Sequence, residues 1–133
     1  MKSLYCIIII SSSLALAACE QSFSYSGVIS NKSGKDLRFL FYNGSSPRQL
    51  IDSIIVKNNT DVVVNDQTES GEPKGFNCLD KSIGNRGDSI SAIVVGGGTL
   101  TKPITDNNNW TSAPNTAKTY YKCTFSIAAA DIQ

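Results

Sequence analysis

The sequence contains few residues whose types and spacing support catalysis. It has no histidine, so it lacks the commonest general base and zinc ligand, and no Ser-His-Asp or Cys-His arrangement is available. Glu69 and Glu72 form a carboxylate pair, but two acids in one polar loop lack the fixed separation that glycosidases need. The run Gly96-Gly97-Gly98 joins two strand-like segments and lacks the Gly-Lys-Ser/Thr sequence of a phosphate-binding loop. We therefore expect that the protein is not an enzyme.

A polar loop supplies the candidate ligands for a metal and also a candidate binding surface. Asp106 and three asparagines offer the oxygen atoms that calcium prefers, but Trp110 at the fifth position breaks the EF-hand spacing. We expect no metal and no cofactor. Tryptophan is enriched in interface hot spots, so the sequence predicts a binding loop, with the alternative that the ring covers one end of the core. The loop comprises Asn107, Asn108, Asn109 and Trp110.

The first residues have the pattern of a secretory signal peptide. Lys2 precedes an apolar stretch that ends in small residues, and three serines interrupt it. A membrane-spanning helix needs about 20 mainly apolar residues, so this stretch is too short and too polar to be one. The pattern predicts a signal peptide over residues 1–18.

The residues Leu16-Ala17-Ala18-Cys19 resemble the lipobox of bacterial lipoproteins. The resemblance implies cleavage before Cys19, attachment of diacylglycerol to its thiol, and acylation of the new amino group. Two or three acyl chains hold a protein firmly on a bilayer. By analogy with that family, Glu20 rather than aspartate after the cysteine favours the outer membrane over the inner. Whether the domain faces the periplasm or the cell surface stays open.

The charge of the mature chain excludes some partners. The chain has 12 Lys+Arg and 11 Asp+Glu, and cleavage would remove Lys2, which leaves the side-chain charges balanced. A neutral domain with scattered charges has neither the basic surface that binds nucleic acid nor a polybasic patch that binds lipid headgroups. We therefore expect a membrane partner through the lipid, an unidentified protein or glycan partner, and no nucleic acid.

Two cysteines remain for the folded domain, because Cys6 leaves with the signal peptide and Cys19 would carry lipid. In an oxidising envelope compartment, Cys78 and Cys123 are expected to form a disulfide rather than a reactive thiol, since neither lies in a CxxC motif. Elsewhere, Asp52-Ser53-Ile54 and Asp88-Ser89-Ile90 resemble the O-glycosylation sequon of Bacteroidetes envelope proteins. The resemblance implies glycan on Ser53 or Ser89.

The elements that must position these residues are short strands. No segment has the period of a good amphipathic helix, whereas short alternating runs stand between turn residues, which is typical of an all-β domain. The sequence predicts six to eight strands in a β-sandwich, immunoglobulin-like or transthyretin-like, with a small barrel as the alternative. Predicted strands cover residues 22–30, 37–42, 49–57, 61–65, 89–95, 99–105 and 118–127, with Cys78 in a further short strand and loops at 66–77 and 106–116. The strand over 37–42 is apolar enough that its centre is expected to be covered on both faces.

The expected organisation is a signal peptide (1–18), a lipidated tether (19–22) and one β-sandwich domain (23–133). The expected function is a lipid-anchored envelope protein that serves as a non-catalytic binding or structural module. The alternative is a lipid-anchored inhibitor or immunity-type protein that acts against an enzyme or a toxin.

Overall fold

A computed structural model describes residues 21–44, 46–83 and 86–133. The predicted signal peptide and the residues that resemble a lipobox therefore lie outside the described residues. Two short 3₁₀ turns lie at Asn107–Asn109 and Ala129–Asp131. The described chain also forms one helix and seven strands: β1 (Ser22–Lys32), β2 (Leu37–Asn43), β3 (Gln49–Val56), β4 (Thr60–Ser70), α1 (Cys78–Ile83), β5 (Ser89–Val94), β6 (Trp110–Pro114) and β7 (Tyr120–Ala128).

The strands form two sheets. The four-stranded sheet has the order β4-β1-β7-β6, and the three-stranded sheet has the order β3-β2-β5. Strands β1 and β7 run parallel, whereas every other neighbouring pair is antiparallel. The prediction of an all-β chain with six to eight strands is confirmed.

The two sheets share one apolar core because their strands alternate between inward and outward side chains. On β7, Cys123, Phe125 and Ile127 are buried and face the core, as the alternation of that strand predicts. Strand β7 lies between β1 and β6, so it is central, as expected. The three-stranded sheet contributes Leu37, Phe39, Phe41, Val56, Ile90 and Val94 to the same core cluster.

Helix α1 packs on the four-stranded sheet, where it contacts β1, β4, β6 and β7. Cys78 at its first residue is bonded to Cys123 on β7, with Cα atoms 5.4 Å apart, so the predicted disulfide is present. Gly27 on β1 faces Ser82 of the helix, and a Cβ atom at Gly27 would lie 2.6 Å from the Cβ atom of Ser82. The helix therefore approaches the sheet closely because β1 carries a glycine at this point.

Strand β4 is longer than the sequence predicts. Residues 66–70 continue the strand and pair with β1, although they were expected to begin a loop. Gln67 and Glu69 point inward, and the buried Tyr25 hydroxyl donates hydrogen bonds to both. The prediction of a loop at residues 66–70 is wrong because the inward side chains are polar, so the strand lacks the alternation of apolar and polar residues on which the prediction rests.

Two further predictions are wrong. Cys78 lies at the start of a helix rather than in a strand, and the side-chain oxygen of Asn77 accepts from the backbone N–H groups of Leu79 and Asp80 at the helix start. Residues 99–105 form no strand. Their backbone instead makes a single bridge, Leu100 to Ile132, near the carboxyl end of the chain.

Candidate interaction surface

The outward face of the three-stranded sheet carries apolar side chains that no described element covers. Arg38, the second residue of β2, lies between Ile55 and Ile93, and these isoleucines are 44 % and 49 % exposed. The sequence predicted that the centre of β2 is covered on both faces. That prediction is wrong, because Leu40 is only half-buried. We name this surface the apolar face and define it by Leu40, Tyr42, Leu50, Ile55 and Ile93.

The polar groups of the apolar face are few and mostly uncharged. Leu40 lies between Ser53 and Ser91, so hydroxyl groups separate the apolar rows, and Arg38 supplies one positive charge. Contiguous exposed apolar side chains with a polar rim mark protein or membrane interaction sites. The arrangement has the chemistry of a surface that a partner covers.

Strand β5 leaves one edge of the three-stranded sheet open beside this face. Its sequence, Ser89 to Val94, contains neither a charged residue nor a proline, the two devices with which proteins commonly protect an edge. A cleft of about 420 Å³ runs between β5 and the 98–105 segment, and Lys102 is the charged residue in its lining. The unpaired backbone N–H and C=O groups of this edge therefore lie next to apolar side chains that line the cleft.

The outward face of the four-stranded sheet differs from the apolar face. It carries hydroxyl and charged side chains, such as Ser24 on β1, whose Oγ lies 2.7 Å from Oγ1 of Thr68 on β4. Lys122 and Ser126 on β7 are exposed there. This polar face has the composition of an ordinary solvated surface.

Two titratable groups whose pKa values are shifted, Tyr25 and Glu69, hold α1 against the sheet. The Tyr25 hydroxyl donates to Glu69 (3.0 Å), and Lys81 of α1 donates to both oxygens of the same carboxylate (2.6 and 2.5 Å). Burial, followed by the hydrogen bond and negative charge of Glu69, raises the pKa of Tyr25 to about 12. The hydrogen bond from Lys81 lowers the pKa of Glu69. Because Tyr25 is buried, we interpret these groups as a structural network.

The side chain of Arg86, just before β5, makes its contacts inside the fold. Its guanidinium bonds to the Asp52 carboxylate of β3 and to the backbone carbonyl of Val64 on β4. The same group lies 5.5 Å from the centre of the Phe41 ring. Arg86 therefore links the two sheets.

The predicted binding loop turns its tryptophan inward. Trp110 is 6 % exposed, begins β6 and packs on Phe125, and its indole N–H donates to the carbonyl of Ile104 (2.9 Å). The polar loop expected over 106–116 is thus partly an edge strand. Asn107 and Asn109 use their side chains within the fold, whereas Asn108 is exposed. Binding by this loop stays a prediction, and only its polar residues offer an exposed contact.

The two predicted glycosylation sites differ in access. Ser53 is exposed on β3, beside the apolar face. The hydroxyl of Ser89 on β5 is buried and has no hydrogen-bond partner among the described residues. A glycan is therefore sterically compatible with Ser53 in the folded protein but not with Ser89.

The remaining site predictions concern lipid and metal. Cys19 lies outside the described residues, so its lipidation stays a prediction. Within residues 21–44, 46–83 and 86–133, no three histidine, cysteine or carboxylate side chains are grouped so that they could hold a metal ion. Asp106 instead caps the 3₁₀ turn by accepting from the N–H of Asn108 (2.9 Å). No helix in the described part of the chain has both the length and the apolar character to cross a bilayer.

Comparison of the chain with protein-family models, with curated proteins and with solved structures gives no match.

Sequence reasoning missed the apolar face. The signal was present in residues 37–42 and 50–56, where apolar residues occupy both parities of neighbouring strands. Such runs are typical of strands covered on both sides, and the sequence does not tell which runs lack a covering layer.

Proposed function

We propose that the chain is a lipid-anchored protein of the bacterial envelope and acts as a non-catalytic binding or structural module. The observation that carries the binding part is the apolar face, in which Ile55 and Ile93 are about half exposed around Arg38. Exposed apolar area of this kind is costly to leave in water and is commonly covered by a partner. The partner is a protein with a complementary apolar surface.

The anchoring part rests on the resemblance of residues 16–19 to a lipobox. Lipid on Cys19 would hold the domain at a membrane, and Glu20 favours the outer membrane. The covalent lipid is the one non-protein group that we propose, and nucleic acid is not among the partners. This part has its own test. Intact mass of the membrane-extracted protein should equal residues 19–133 plus acyl groups, and C19A should move the protein out of the membrane fraction. A protein that begins elsewhere, or whose Cys19 thiol is free, contradicts anchoring.

We also propose a transthyretin-like rather than an immunoglobulin-like sandwich. The immunoglobulin order places the first two strands side by side in one sheet. Here β1 and β2 lie in different sheets, and β1 stands between β4 and β7. The strand order supports the transthyretin-like alternative of the two.

The binding role is tested by charge substitution on the apolar face. The double variant I55K/I93K places two charges on the face without touching the core. Both lysines lie directly opposite Arg38, so like-charge repulsion should cost about 0.5–2 kcal/mol and leave the domain folded. The matched control is T111K/S126K, which changes exposed residues of the four-stranded sheet. Complexes chemically crosslinked in intact cells should be lost from I55K/I93K and kept in the control. Equal crosslinking in both variants would contradict binding by this face.

The alternative function is a lipid-anchored inhibitor or immunity-type protein. The open edge of β5 and its cleft favour it, because a segment of a target enzyme or toxin can add to such an edge as an extra strand. An inhibitor should form a stoichiometric complex with one soluble enzyme or toxin that survives gel filtration. A substitution of Ala92 by proline in β5 should abolish that complex. Complex formation that tolerates A92P would argue against the edge.

A further inference from the structure

The chain enters the fold at one end of the sandwich. Gln21 is bonded through its carbonyl to the N–H of Gly71, just after β4. Two residues into β1, the N–H of Ser24 donates to the carbonyl of Thr119 (2.7 Å), just before β7. The loops at 71–77 and 115–119 therefore flank the point where the preceding residues must leave the domain.

These two loops and the entering chain form a cleft of about 420 Å³, which we name the entry cleft. Its charged side chains are Lys74, Lys118 and Glu72. Lys74 forms an ion pair with Glu72 (3.0 Å), so Lys118 supplies the one net positive charge of the lining. Tyr121 lines its floor and stacks on Phe76 with ring centres 4.7 Å apart. Tyrosine and lysine are the side chains that favour the headgroup region of a bilayer.

The covalent tether sets how far this end can stand from a membrane. Cys19 precedes Gln21 by two residues, so their Cα atoms are at most about 7 Å apart. The headgroup region on each side of a bilayer is about 5–7 Å thick. Since β1 already begins at Ser22, the tether has no slack to lift the entry cleft clear of the headgroups.

We infer that the entry cleft rests on the surface of an anionic phospholipid bilayer, where Lys118 and Tyr121 contact the headgroups. This inference rests on the proposed anchoring at Cys19 and adds the orientation of the domain. Strand β1 then points away from the membrane. The apolar face and the edge of β5 then lie on the side of the domain, where a partner in the aqueous phase can reach them.

Spin labels at the two ends of the domain test this orientation. The exposed Thr116 lies in the loop beside the entry cleft, whereas the exposed Lys35 lies in the turn after β1. From Ser24 to Lys32, eight residues of strand separate these ends by about 26 Å. The variants T116C and K35C would be produced as the full chain, extracted from membranes, labelled, and reconstituted in vesicles of phosphatidylethanolamine and phosphatidylglycerol. A nickel-chelating lipid would report the distance of each label from the bilayer surface.

If the entry cleft rests on the bilayer, the nickel-chelating lipid should relax the label at residue 116 several-fold more strongly than the label at residue 35. The substitution K118E should weaken the relaxation at residue 116 in these vesicles, and K57E, at an exposed lysine in the turn after β3, should not. Intact mass of each preparation distinguishes the two ways of failing. Equal relaxation at both positions in a protein that carries acyl groups overturns the orientation and leaves the anchor standing. A mass without acyl groups overturns the anchor, and the orientation with it.

Discussion

Removal of the disulfide should destabilise the protein by an amount that the loop length sets. Cys78 and Cys123 are 45 residues apart in sequence, and closing a loop of this length lowers the entropy of the unfolded chain. The corresponding stabilisation is about 4 kcal/mol, a large share of the 5–15 kcal/mol that is usual for a domain. The double variant C78A/C123A should therefore lose about 4 kcal/mol in its free energy of unfolding.

The assay is urea unfolding followed by circular dichroism and by Trp110 fluorescence. Trp110 packs on Phe125, two residues beyond Cys123, so its emission reports the core beside the disulfide. Reduction of the parent protein is the matched control and should give the same shift in midpoint. If the free energy of unfolding falls by less than about 1 kcal/mol in both experiments, the disulfide restricts the unfolded chain very little, and the loop-length estimate is wrong.

Three further outcomes are expected. In G27A, the new Cβ atom meets Ser82 at 2.6 Å, so overpacking should cost about 1–3 kcal/mol in urea unfolding; an unchanged midpoint would contradict the close approach of α1. The pKa of Tyr25 is raised to about 12 in the folded state, so stability should fall as pH rises from about 10 through 12. Y25F should lack this alkaline loss and instead cost about 1–3 kcal/mol at neutral pH, because Glu69 loses a donor; an equal alkaline slope in both proteins would count against the network. If glycan is present, S53A should remove the whole excess mass over polypeptide plus acyl groups, and excess mass that persists would place the glycan elsewhere.

Strand β7 shows what the sequence predicts well. Its apolar residues alternate with polar ones because one face meets the core and the other meets water, so parity alone assigns Cys123 to the interior. The disulfide follows from a different argument, since only Cys78 and Cys123 remain once Cys6 of the expected signal peptide and the expected lipidated Cys19 are set aside. Features that depend on one local pattern are thus readable from sequence.

The carboxyl half of β4 and helix α1 show what sequence does not predict. Gln67 and Glu69 face inward because Tyr25 and Lys81 satisfy them, and these partners lie far away in sequence. Helix α1 has six residues, too few to display a helical period, and the single local sign of its start is Asn77. Both depend on tertiary contacts that override the local pattern.

The sequence likewise does not predict the apolar face. A strand with apolar residues at both odd and even positions suggests that both of its faces are buried. Leu40 and Tyr42 on β2 have this pattern, yet both are only half-buried. The pattern of one strand fixes the directions of its side chains, whereas the number of layers decides which of them meet water. Trp110 shows the converse, since a residue type enriched in interfaces is here part of the core.

The most direct test of the binding role is photo-crosslinking in intact cells from a photoreactive amino acid placed at Ile93. The same residue at Ser126, on the outward face of the four-stranded sheet, is the matched control. We expect a discrete crosslinked protein species from position 93 and none from position 126. No crosslink from position 93, or the same species from both positions, would contradict the claim that the apolar face is the binding surface.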